Sequence, residues 1–264
     1  MIWTTRPRFD LSPGISGFAA GVGPTALLIH GVGLRAEAWN GLIPKLSPTF
    51  RTVAVDLPGH GHSKDISDET IKAFGDALVP LVEALSDYGG PVRVIGHSLG
   101  AMIAIEIARL RPKLIAGTAA LNLVYRRSPE AAAAVRARAE TLTETRDRKV
   151  DVTLQRWFGD DAHDAAHACG HWLNSVPQSG YARAYRAFAM ADGPLDADLR
   201  KLDSPALFMT GEHDPNSLPD MSRQMSRLAP QGHDAVIAGA AHMAPMTHSD
   251  QVAAEILRVL GPSS

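Results

Sequence analysis

Cysteine is almost absent from this chain of 264 residues, which contains one, Cys169. A single cysteine cannot form an intramolecular disulfide, so the sequence excludes a disulfide-stapled secreted scaffold and fits a reducing compartment. No apolar stretch reaches the roughly 18 residues of a transmembrane helix, and the first residues lack the apolar segment of a secretory signal. We therefore expect a cytoplasmic protein that does not enter a membrane.

An excess of charge of one sign is also absent, because 26 basic and 28 acidic side chains give a net charge of −2. Without a basic surface, binding to nucleic acid or to anionic lipid is not expected. The composition, 45% hydrophobic and 20% charged, is that of a globular protein. The sequence has no internal repeat and no linker that would suggest independent domains.

Short apolar segments alternate with helical ones along most of the chain. This alternation predicts a mainly parallel sheet with helices on both faces. The predicted strands are residues 26–30, 51–56, 91–95, 114–121, 205–210 and 235–238, after a weakly marked segment from Arg8 to Ala19. The predicted helices are residues 37–46, 67–88 (capped by Ser67 or Asp68), 101–108 and 249–260.

Residues 125–195 break this alternation, because they contain no strand candidate and are rich in Ala, Arg, His and aromatic residues. Residues 131–140 are strongly helical in composition. We expect a helical cap that is inserted into a core formed by residues 1–124 and 196–264, and not an independent domain.

Three histidines in this segment, His163, His167 and His171, recur at four-residue spacing. On one helix they would form a stripe, which is one way to bind a metal. The segment lacks a His-Glu-x-x-His motif, and Asp160, Asp161 and Asp164 are the only carboxylates nearby. We interpret the stripe as a polar face and expect no metal and no other cofactor.

A nucleophile-elbow pattern, Gly-His-Ser-Leu-Gly, occupies residues 96–100. A predicted strand precedes it and a predicted helix follows it, so Ser98 would stand on the sharp turn between the two. Glycine suits both ends of the pattern because a Cβ there would collide with neighbouring backbone. The pattern exposes the Ser98 hydroxyl and points the Leu99 N–H toward the same space.

A serine nucleophile needs a base that takes its proton and an acid that orients the base. Asp214 and His242 each follow a predicted strand, in the chain order Ser, acid, His that one class of hydrolases uses. Glu212 competes with Asp214 for the role of the acid. The earlier strand is followed by Asn122, with no carboxylate, which favours Asp214.

Negative charge that develops on a substrate carbonyl needs two N–H donors, an oxyanion hole. The Leu99 N–H is the first candidate. Residues 30–33, His-Gly-Val-Gly, follow the first long strand, and we expect the Val32 N–H to be the second. The His30 side chain is interpreted as a buried scaffold group, since the function needs the backbone of this loop.

Five blocks, taken in chain order, resemble the signature segments of the α/β-hydrolase fold superfamily. They are residues 27–33, 56–63, 96–100, 211–214 and 239–242. The resemblance implies an α/β-hydrolase fold, a mostly parallel eight-stranded sheet with flanking helices and a helical cap, and a triad of Ser98, Asp214 and His242. The block 56–63 is interpreted as structural in spite of its two histidines. Relatives with aspartate at the elbow, the haloalkane dehalogenases and epoxide hydrolases, are excluded by Ser98.

The cap segment resembles that of 3-oxoadipate enol-lactone hydrolases, which carry an Arg-Trp-Phe block and a later Gly-Tyr block with a nearby Asp. Here these blocks are Arg156–Phe158 and Gly180–Tyr181, with Asp192. The chain departs from that family at the oxyanion loop, usually Asn-Ser there, and in lacking paired cysteines after the Gly-Tyr block. The resemblance implies an ester or lactone substrate that bears a carboxylate.

Candidate substrate-binding residues follow from this resemblance. Trp157 would form a wall of the acyl pocket, or else belong to the core of the cap. A substrate carboxylate would pair with one of several arginines, each of which could instead lie on a solvated face. The candidates are Arg35, Arg156, Arg183 and Arg186.

We therefore expect hydrolysis of a small carboxylic ester or lactone through an acyl-enzyme. Two alternatives stay open: a carbon–carbon bond hydrolase of aromatic degradation with the same triad, and a non-hydrolytic protein that binds a ligand on the same fold. The cap helices, rich in alanine and arginine, could equally close over a ligand or pack a homodimer.

Overall fold

Eight strands form one sheet in the computed structural model, which describes residues 3–144, 148–159 and 164–262. Across the sheet their order is 1-2-4-3-5-6-7-8. The strands are β1 (Phe9–Ser12), β2 (Ile15–Ala20), β3 (Thr25–Ile29), β4 (Arg51–Val55), β5 (Val92–His97), β6 (Ile115–Leu121), β7 (Ala206–Gly211) and β8 (Gly232–Ile237). Strand β2 runs antiparallel to both of its neighbours and all other pairs are parallel, so the predicted α/β-hydrolase fold is confirmed.

The helices connect these strands and cover both faces of the sheet. They are α1 (Ile43–Leu46), α2 (Ile71–Gly89), α3 (Leu99–Leu110), α4 (Pro129–Glu144), α5 (Val150–Phe158), α6 (Asp164–Ser175), α7 (Gln178–Met190), α8 (Asp196–Leu199), α9 (Pro219–Leu228), α10 (Ala244–Thr247) and α11 (Ser249–Leu260), with 3₁₀ turns at Ala36–Trp39 and Pro112–Leu114. Within the described residues, none of these helices has the length and apolar character that a membrane span requires.

Two predicted helices differ from the observed ones in their bounds. The helix predicted for residues 37–46 is broken into a 3₁₀ turn and the short α1, because Gly41 separates the two and Pro44 fits only a first helical turn. Helix α2 begins at Ile71 and not at residue 67. Its cap is Thr70, whose side chain accepts the Ala73 N–H, so the predictions for Ser67 and Asp68 are wrong.

The core lies on both faces of strand β3, all of whose residues are buried. Leu27 and Ile29 belong to a cluster with α2 and α3, whereas Ala26 and Leu28 belong to a second cluster with α1 and α11. Alternate side chains of a strand point to opposite faces, and burial of each leucine or isoleucine contributes roughly 1.5–3 kcal/mol. The central strands are therefore fixed from both sides, and their carboxyl ends form a rigid edge.

Helices α4 to α7 lie between β6 and β7 in the chain, and we call them the cap helices. Helix α7 approaches the loop after β4 so closely that a Cβ on Gly180 would lie 2.1 Å from the carbonyl oxygen of Gly59. Tyr181 and Ala184 of the same helix join the larger core cluster. These helices occupy the segment predicted as a cap; the division into core and cap stays a prediction.

A buried ion-pair network ties the N-terminal segment to the sheet. Arg8 Nε lies 2.8 Å from Asp56 Oδ2, and Arg8 Nη2 lies 2.5 Å from Glu37 Oε2. Burial alone would raise the pKa of both carboxyl groups, but the hydrogen bonds from Arg8 outweigh it and lower their pKa values. Asp56 Oδ1 also accepts the Ala36 N–H, so this network fixes the chain beyond β3.

Arg8→Met should destabilise the fold by about 3–5 kcal/mol at neutral pH, because it removes the cation that the buried carboxylates of Asp56 and Glu37 share. The difference in the free energy of unfolding between wild type and variant should shrink as the pH falls below about 4. Carboxyl groups of lowered pKa stabilise the fold only while they are ionised, and this stabilisation is lost as they become protonated. Urea unfolding at several pH values measures both effects.

Arg258→Met is the matched control, because Arg258 pairs with Glu255 on the exposed side of α11. An exposed pair of this kind contributes at most about 1 kcal/mol. Equal losses in the two variants would contradict the assigned role of Arg8.

Candidate active site

Ser98 stands on the turn between β5 and α3, with φ 56° and ψ −116°. A residue with a side chain is strained in this region, by about 1–3 kcal/mol. The flanking glycines make the turn possible: a Cβ on Gly96 would lie 2.0 Å from the Gly100 carbonyl oxygen, and one on Gly100 would lie 2.0 Å from that of Ile29. The strained turn lifts the Ser98 side chain off the edge of the sheet into a cavity that it lines.

Hydrogen bonds connect Ser98 to His242 and His242 to Asp214. His242 Nε2 lies 3.2 Å from Ser98 Oγ, and His242 Nδ1 lies 2.8 Å from Asp214 Oδ2. With Asp214 ionised, Nδ1 donates to the carboxylate, which leaves Nε2 as the acceptor for the serine hydroxyl. The loops after β7 and β8 carry Asp214 and His242, and both residues are buried.

The Asp214 carboxylate is surrounded by hydrogen-bond donors. Its Oδ2 accepts from the Asn122 side-chain amide at 2.8 Å, and its Oδ1 accepts the N–H groups of Asn216 and Ser217. Burial alone would raise the pKa of Asp214, but His242 and these donors outweigh it and lower the pKa. Glu212, the competing acid in the sequence, is exposed and accepts the Gly239 N–H instead.

Asn122 and His97 hold Asp214 and His242 in place by hydrogen bonds, and neither was predicted from the sequence to do so. Asn122 has a left-handed backbone, with φ 54°, directly after β6. His97 Nε2 lies 2.9 Å from the backbone oxygen of His242. Burial and the neighbouring His242 lower the pKa of His97 to about 3, so its ring is neutral and donates this bond. The position of each residue at the end of a strand, beside a triad loop, is the one signal that could have found it.

The predicted oxyanion donors lie beside Ser98. A Cβ on Gly31, the residue before Val32, would lie 3.2 Å from Ser98 Cβ. Leu99 begins α3, where backbone N–H groups have no partner within the helix. Within the described chain, neither the Val32 N–H nor the Leu99 N–H donates a hydrogen bond to another residue. Both donors are thus available to a ligand.

A cavity of about 470 Å³ opens above Ser98 and His242, between the edge of the sheet and helices α4, α5 and α7. Its charged lining is of one sign: none of the described residues on its wall is Asp or Glu. The cationic ones are Arg127, Arg138, Lys149 and Arg156. Such a wall favours an anionic occupant over a neutral or cationic one.

Two of the five predicted substrate-binding residues, Trp157 and Arg156, lie on this wall. The ring centroid of Trp157 is 5.9 Å from that of His242, and Arg156 stands beside it in the chain. Arg35 Nε lies instead 3.1 Å from the buried Glu37, and Arg183 pairs with Asp65. The structure does not bring these two arginines to the cavity, because the buried Glu37 and the exposed Asp65 hold them elsewhere. Arg186, the fifth candidate, pairs with Glu69 and does not line the cavity either.

The remaining cations of the wall were not predicted from the sequence. Arg138 follows Ala131, Ala134 and Val135 on one face of α4, a helical spacing that could have marked the face turned to the cavity. Arg127 is buried against Phe188, with its guanidinium 4.4 Å from the ring centroid. Arg127 lies in the loop before α4, so no helical spacing in the sequence could have placed it on this wall.

Of the three cap histidines, His167 and His171 lie on α6, and His163 falls outside the described residues. Asp160 and Asp161 also fall outside them. Helix α6 runs through residue 170 without a break. In the part of the chain that the structure describes, no cluster of ligating side chains could hold a metal ion.

Comparison with known proteins identifies a family and several similar proteins. A profile of the "Alpha/beta hydrolase family" matches residues 26–255. An (E)-2-((N-methylformamido)methylene)succinate hydrolase of Acinetobacter baylyi is 37% identical over 238 residues, 89% of each chain. A malate-bound thermophilic esterase of Thermogutta terrifontis has a TM-score of 0.83 and 27% identity, over 92% of each chain. An enol-lactonase of Burkholderia xenovorans shares the fold, with a TM-score of 0.81 and 22% identity over 96% of this chain and 98% of that one. The chain therefore belongs to the alpha/beta hydrolase family.

Proposed function

We propose that the protein is a serine hydrolase that cleaves a small ester or lactone bearing at least one carboxylate, through an acyl-enzyme. The observation that carries this proposal is the hydrogen-bonded series Ser98, His242 and Asp214 on the floor of a cavity with a cationic wall. The series supplies a nucleophile, a base and an orienting acid, and the wall supplies attraction for an anion.

In the proposed acylation step, Ser98 Oγ attacks the substrate carbonyl while His242 Nε2 takes its proton. Asp214 accepts from His242 Nδ1, which holds the ring in the correct tautomer and stabilises the imidazolium that forms. The N–H groups of Val32 and Leu99 hold the negative oxygen of the tetrahedral intermediate. The intermediate then collapses, and His242 returns the proton to the leaving oxygen.

Deacylation repeats these steps with water as the nucleophile. His242 takes a proton from water, which attacks the acyl carbonyl, and the same two N–H groups stabilise the second oxyanion. The second intermediate then collapses, and His242 returns the proton to Ser98 Oγ, which leaves as the free hydroxyl. The overall reaction consumes one water and gives an acid and an alcohol, or a ring-opened hydroxy acid from a lactone.

The cationic wall supports an anionic substrate. Arg127, Arg138 and Arg156 all act on the Tyr185 hydroxyl, whose pKa burial raises and these three charges lower, with burial the stronger effect. Within the described chain the Tyr185 hydroxyl and the Arg156 guanidinium form no hydrogen bond. A hydroxyl donor beside a guanidinium is a favourable partner for a carboxylate.

A second candidate reaction, hydrolysis of an N-acyl bond, has specific support from the Acinetobacter baylyi relative. That protein is named as a hydrolase of a succinate that carries an N-methylformamidomethylene group. The proposed triad would serve such a substrate with the same steps, since His242 can give its proton to a leaving nitrogen as well as to a leaving oxygen. The succinate part would match the cationic wall.

Ser98→Ala should abolish hydrolysis, because it removes the nucleophile. We expect a loss of about 10³-fold or more in kcat on substrates that the wild-type enzyme hydrolyses. The panel to measure includes p-nitrophenyl acetate, p-nitrophenyl hemisuccinate, an enol-lactone, an N-formyl enamine of succinate, and a dienone that only a carbon–carbon hydrolase would cleave. Turnover of the dienone alone, or binding without turnover of any compound, would contradict the proposal.

Asp214→Asn should lower kcat by roughly 10³–10⁴-fold, because an amide cannot stabilise the imidazolium and favours the wrong tautomer. Glu212→Gln is the matched control two residues away, and it should retain at least half of the wild-type rate. The rate at which a fluorophosphonate labels Ser98, followed by intact-protein mass, checks both variants without a natural substrate. A larger loss in the Glu212 variant would assign the acid to that residue.

Arg156→Leu should raise KM for p-nitrophenyl hemisuccinate roughly tenfold, because one charge-assisted contact with the carboxylate is lost. KM for the neutral p-nitrophenyl acetate should stay within twofold. Arg186→Leu is the control: Arg186 is a cap arginine that pairs with Glu69, 2.9 Å away, and does not line the cavity. An equal change in both variants, or for both substrates, would argue against carboxylate recognition by Arg156.

A further inference from the structure

Two buried histidines, His30 and His60, have no part in the steps described above. Both are fully buried, and their ring centroids lie 5.4 Å apart beneath the loop that carries Val32. Burial of a polar ring without hydrogen bonds is costly, so the partners of these rings decide what the rings do. The loop after β4, which was interpreted from the sequence as structural, contributes one of the two.

The hydrogen bonds of His60 fix its tautomer. Its Nδ1 lies 3.0 Å from the carbonyl oxygen of Pro58 and must donate to it. Its Nε2 therefore carries no proton and accepts the Gly33 N–H, 3.0 Å away. Only the neutral ring can make both bonds. Burial lowers the pKa of His60, which keeps the ring in this form.

His30 is arranged in the same way on the other side of the loop. Its Nδ1 donates to the Gly31 carbonyl oxygen at 2.8 Å, and its Nε2 accepts the Leu57 N–H at 2.9 Å. Burial and the neighbouring His60 lower the pKa of His30 to about 3, so this ring is neutral as well.

Together the two rings hold both peptide groups that flank Val32. The Gly31 carbonyl belongs to the same peptide group as the Val32 N–H, and in a trans peptide these two groups point in opposite directions. The Gly33 N–H belongs to the next peptide group. Gly33 has φ 76°, a conformation that glycine adopts as readily as several others, so the residue itself does not fix the loop.

We propose that His60 is a positioning residue of the oxyanion hole: its Nε2 accepts the Gly33 N–H and so sets the plane of the peptide that follows Val32. This inference rests on the proposed function, because it takes the Val32 N–H as an oxyanion donor. Residues 56–63 thus contribute to catalysis, because they hold the acceptor His60 Nε2 under the Gly31–Gly33 loop.

The loop after β4 is built to keep that acceptor in place. Asp56, at its start, is held by Arg8 and accepts the N–H groups of Ala36 and His62. A Cβ on Gly61 would lie 2.2 Å from the Asp56 carboxylate, so the chain passes tightly around this anchor. His60 lies inside the tight turn, and Gly59 packs against α7 of the cap helices. The ring therefore has little room to move away from Gly33.

Two substitutions at residue 60 distinguish the role of Nε2 as a hydrogen-bond acceptor from the role of the ring in packing. The side-chain carbonyl of glutamine reaches the place of Nε2 and can accept the Gly33 N–H, whereas that of asparagine reaches only the place of Nδ1. His60→Gln should keep kcat within about threefold of wild type, and His60→Asn should lose about 30- to 100-fold, less than the loss of a complete oxyanion donor. KM should stay within twofold in both variants, because the contact acts in the transition state.

The readouts include two that do not need the natural substrate. The rate of fluorophosphonate labelling of Ser98 should fall in His60→Asn and recover in His60→Gln, since the phosphonyl oxygen uses the same donors. Long-range ¹H–¹⁵N spectra of the wild-type protein should show the His60 proton on Nδ1. A proton on Nε2 would overturn the proposal even if both variants fail to fold.

Equal losses in the two variants, or a loss confined to KM, would also overturn it and reduce His60 to a packing residue. Failure of the proposed function has a different signature: wild-type protein would then hydrolyse none of the ester, lactone or N-acyl substrates, or Ser98→Ala would leave turnover intact. In that case the tautomer and the labelling rates still decide whether His60 sets the loop.

Discussion

The turn at Ser98 constrains most of the site, because a strained residue persists only where its surroundings determine its conformation. Gly100 packs against the carbonyl oxygen of Ile29, so the start of α3 and the end of β3 are held in contact. That contact brings the Gly31–Gly33 loop beside the serine. The same edge of the sheet carries Asn122 after β6, Asp214 after β7 and His242 after β8. A single close approach of backbone thus sets where Ser98, His242 and the Gly31–Gly33 loop can meet.

Near this edge of the sheet, acidic and basic side chains lie at different depths in the protein. Three carboxylates lie within the core, Asp214 behind His242 and Asp56 with Glu37 behind the Gly31–Gly33 loop, and each is paired with donors or with Arg8. The wall of the cavity has cations and, in its described part, no carboxylate. A buried carboxylate needs its partners nearby, and the core supplies them. The carboxylates of this region are thus enclosed in the core, and the charged side chains on the described wall of the cavity are cationic.

The succession of strands and helices and the turn at Ser98 were predictable because each depends on local chemistry: short apolar runs and glycines at a tight turn. Asp214 and His242 lie in loops at strand ends, as expected from the sequence, and their roles stay a prediction. The start of α2 was not predictable, because Ser67, Asp68 and Thr70 are all good caps and tertiary contacts choose among them. Arg35 and Arg183 were misplaced for a similar reason. An arginine reaches far enough that a distant acidic residue, Glu37 or Asp65, decides which way it points. His60 was interpreted as structural because its acceptor role exists only when residues 27 positions apart meet.

In the proposed reaction, the geometry of the core and the chemistry of the cap helices contribute to different steps. A tetrahedral oxyanion looks the same to the Val32 and Leu99 N–H groups whether the leaving atom is oxygen or nitrogen. Selection must therefore come from groups that contact the rest of the substrate. Trp157 lies against the His242 ring, with 5.9 Å between the ring centroids, and Arg156 precedes it in the chain and also lines the cavity. In the proposed function the apolar ring excludes water from His242, and the cation one residue away attracts a carboxylate. On that proposal, changing these two residues alters which anionic substrate is held against Ser98 while leaving the hydrogen bonds from Ser98 to Asp214 intact.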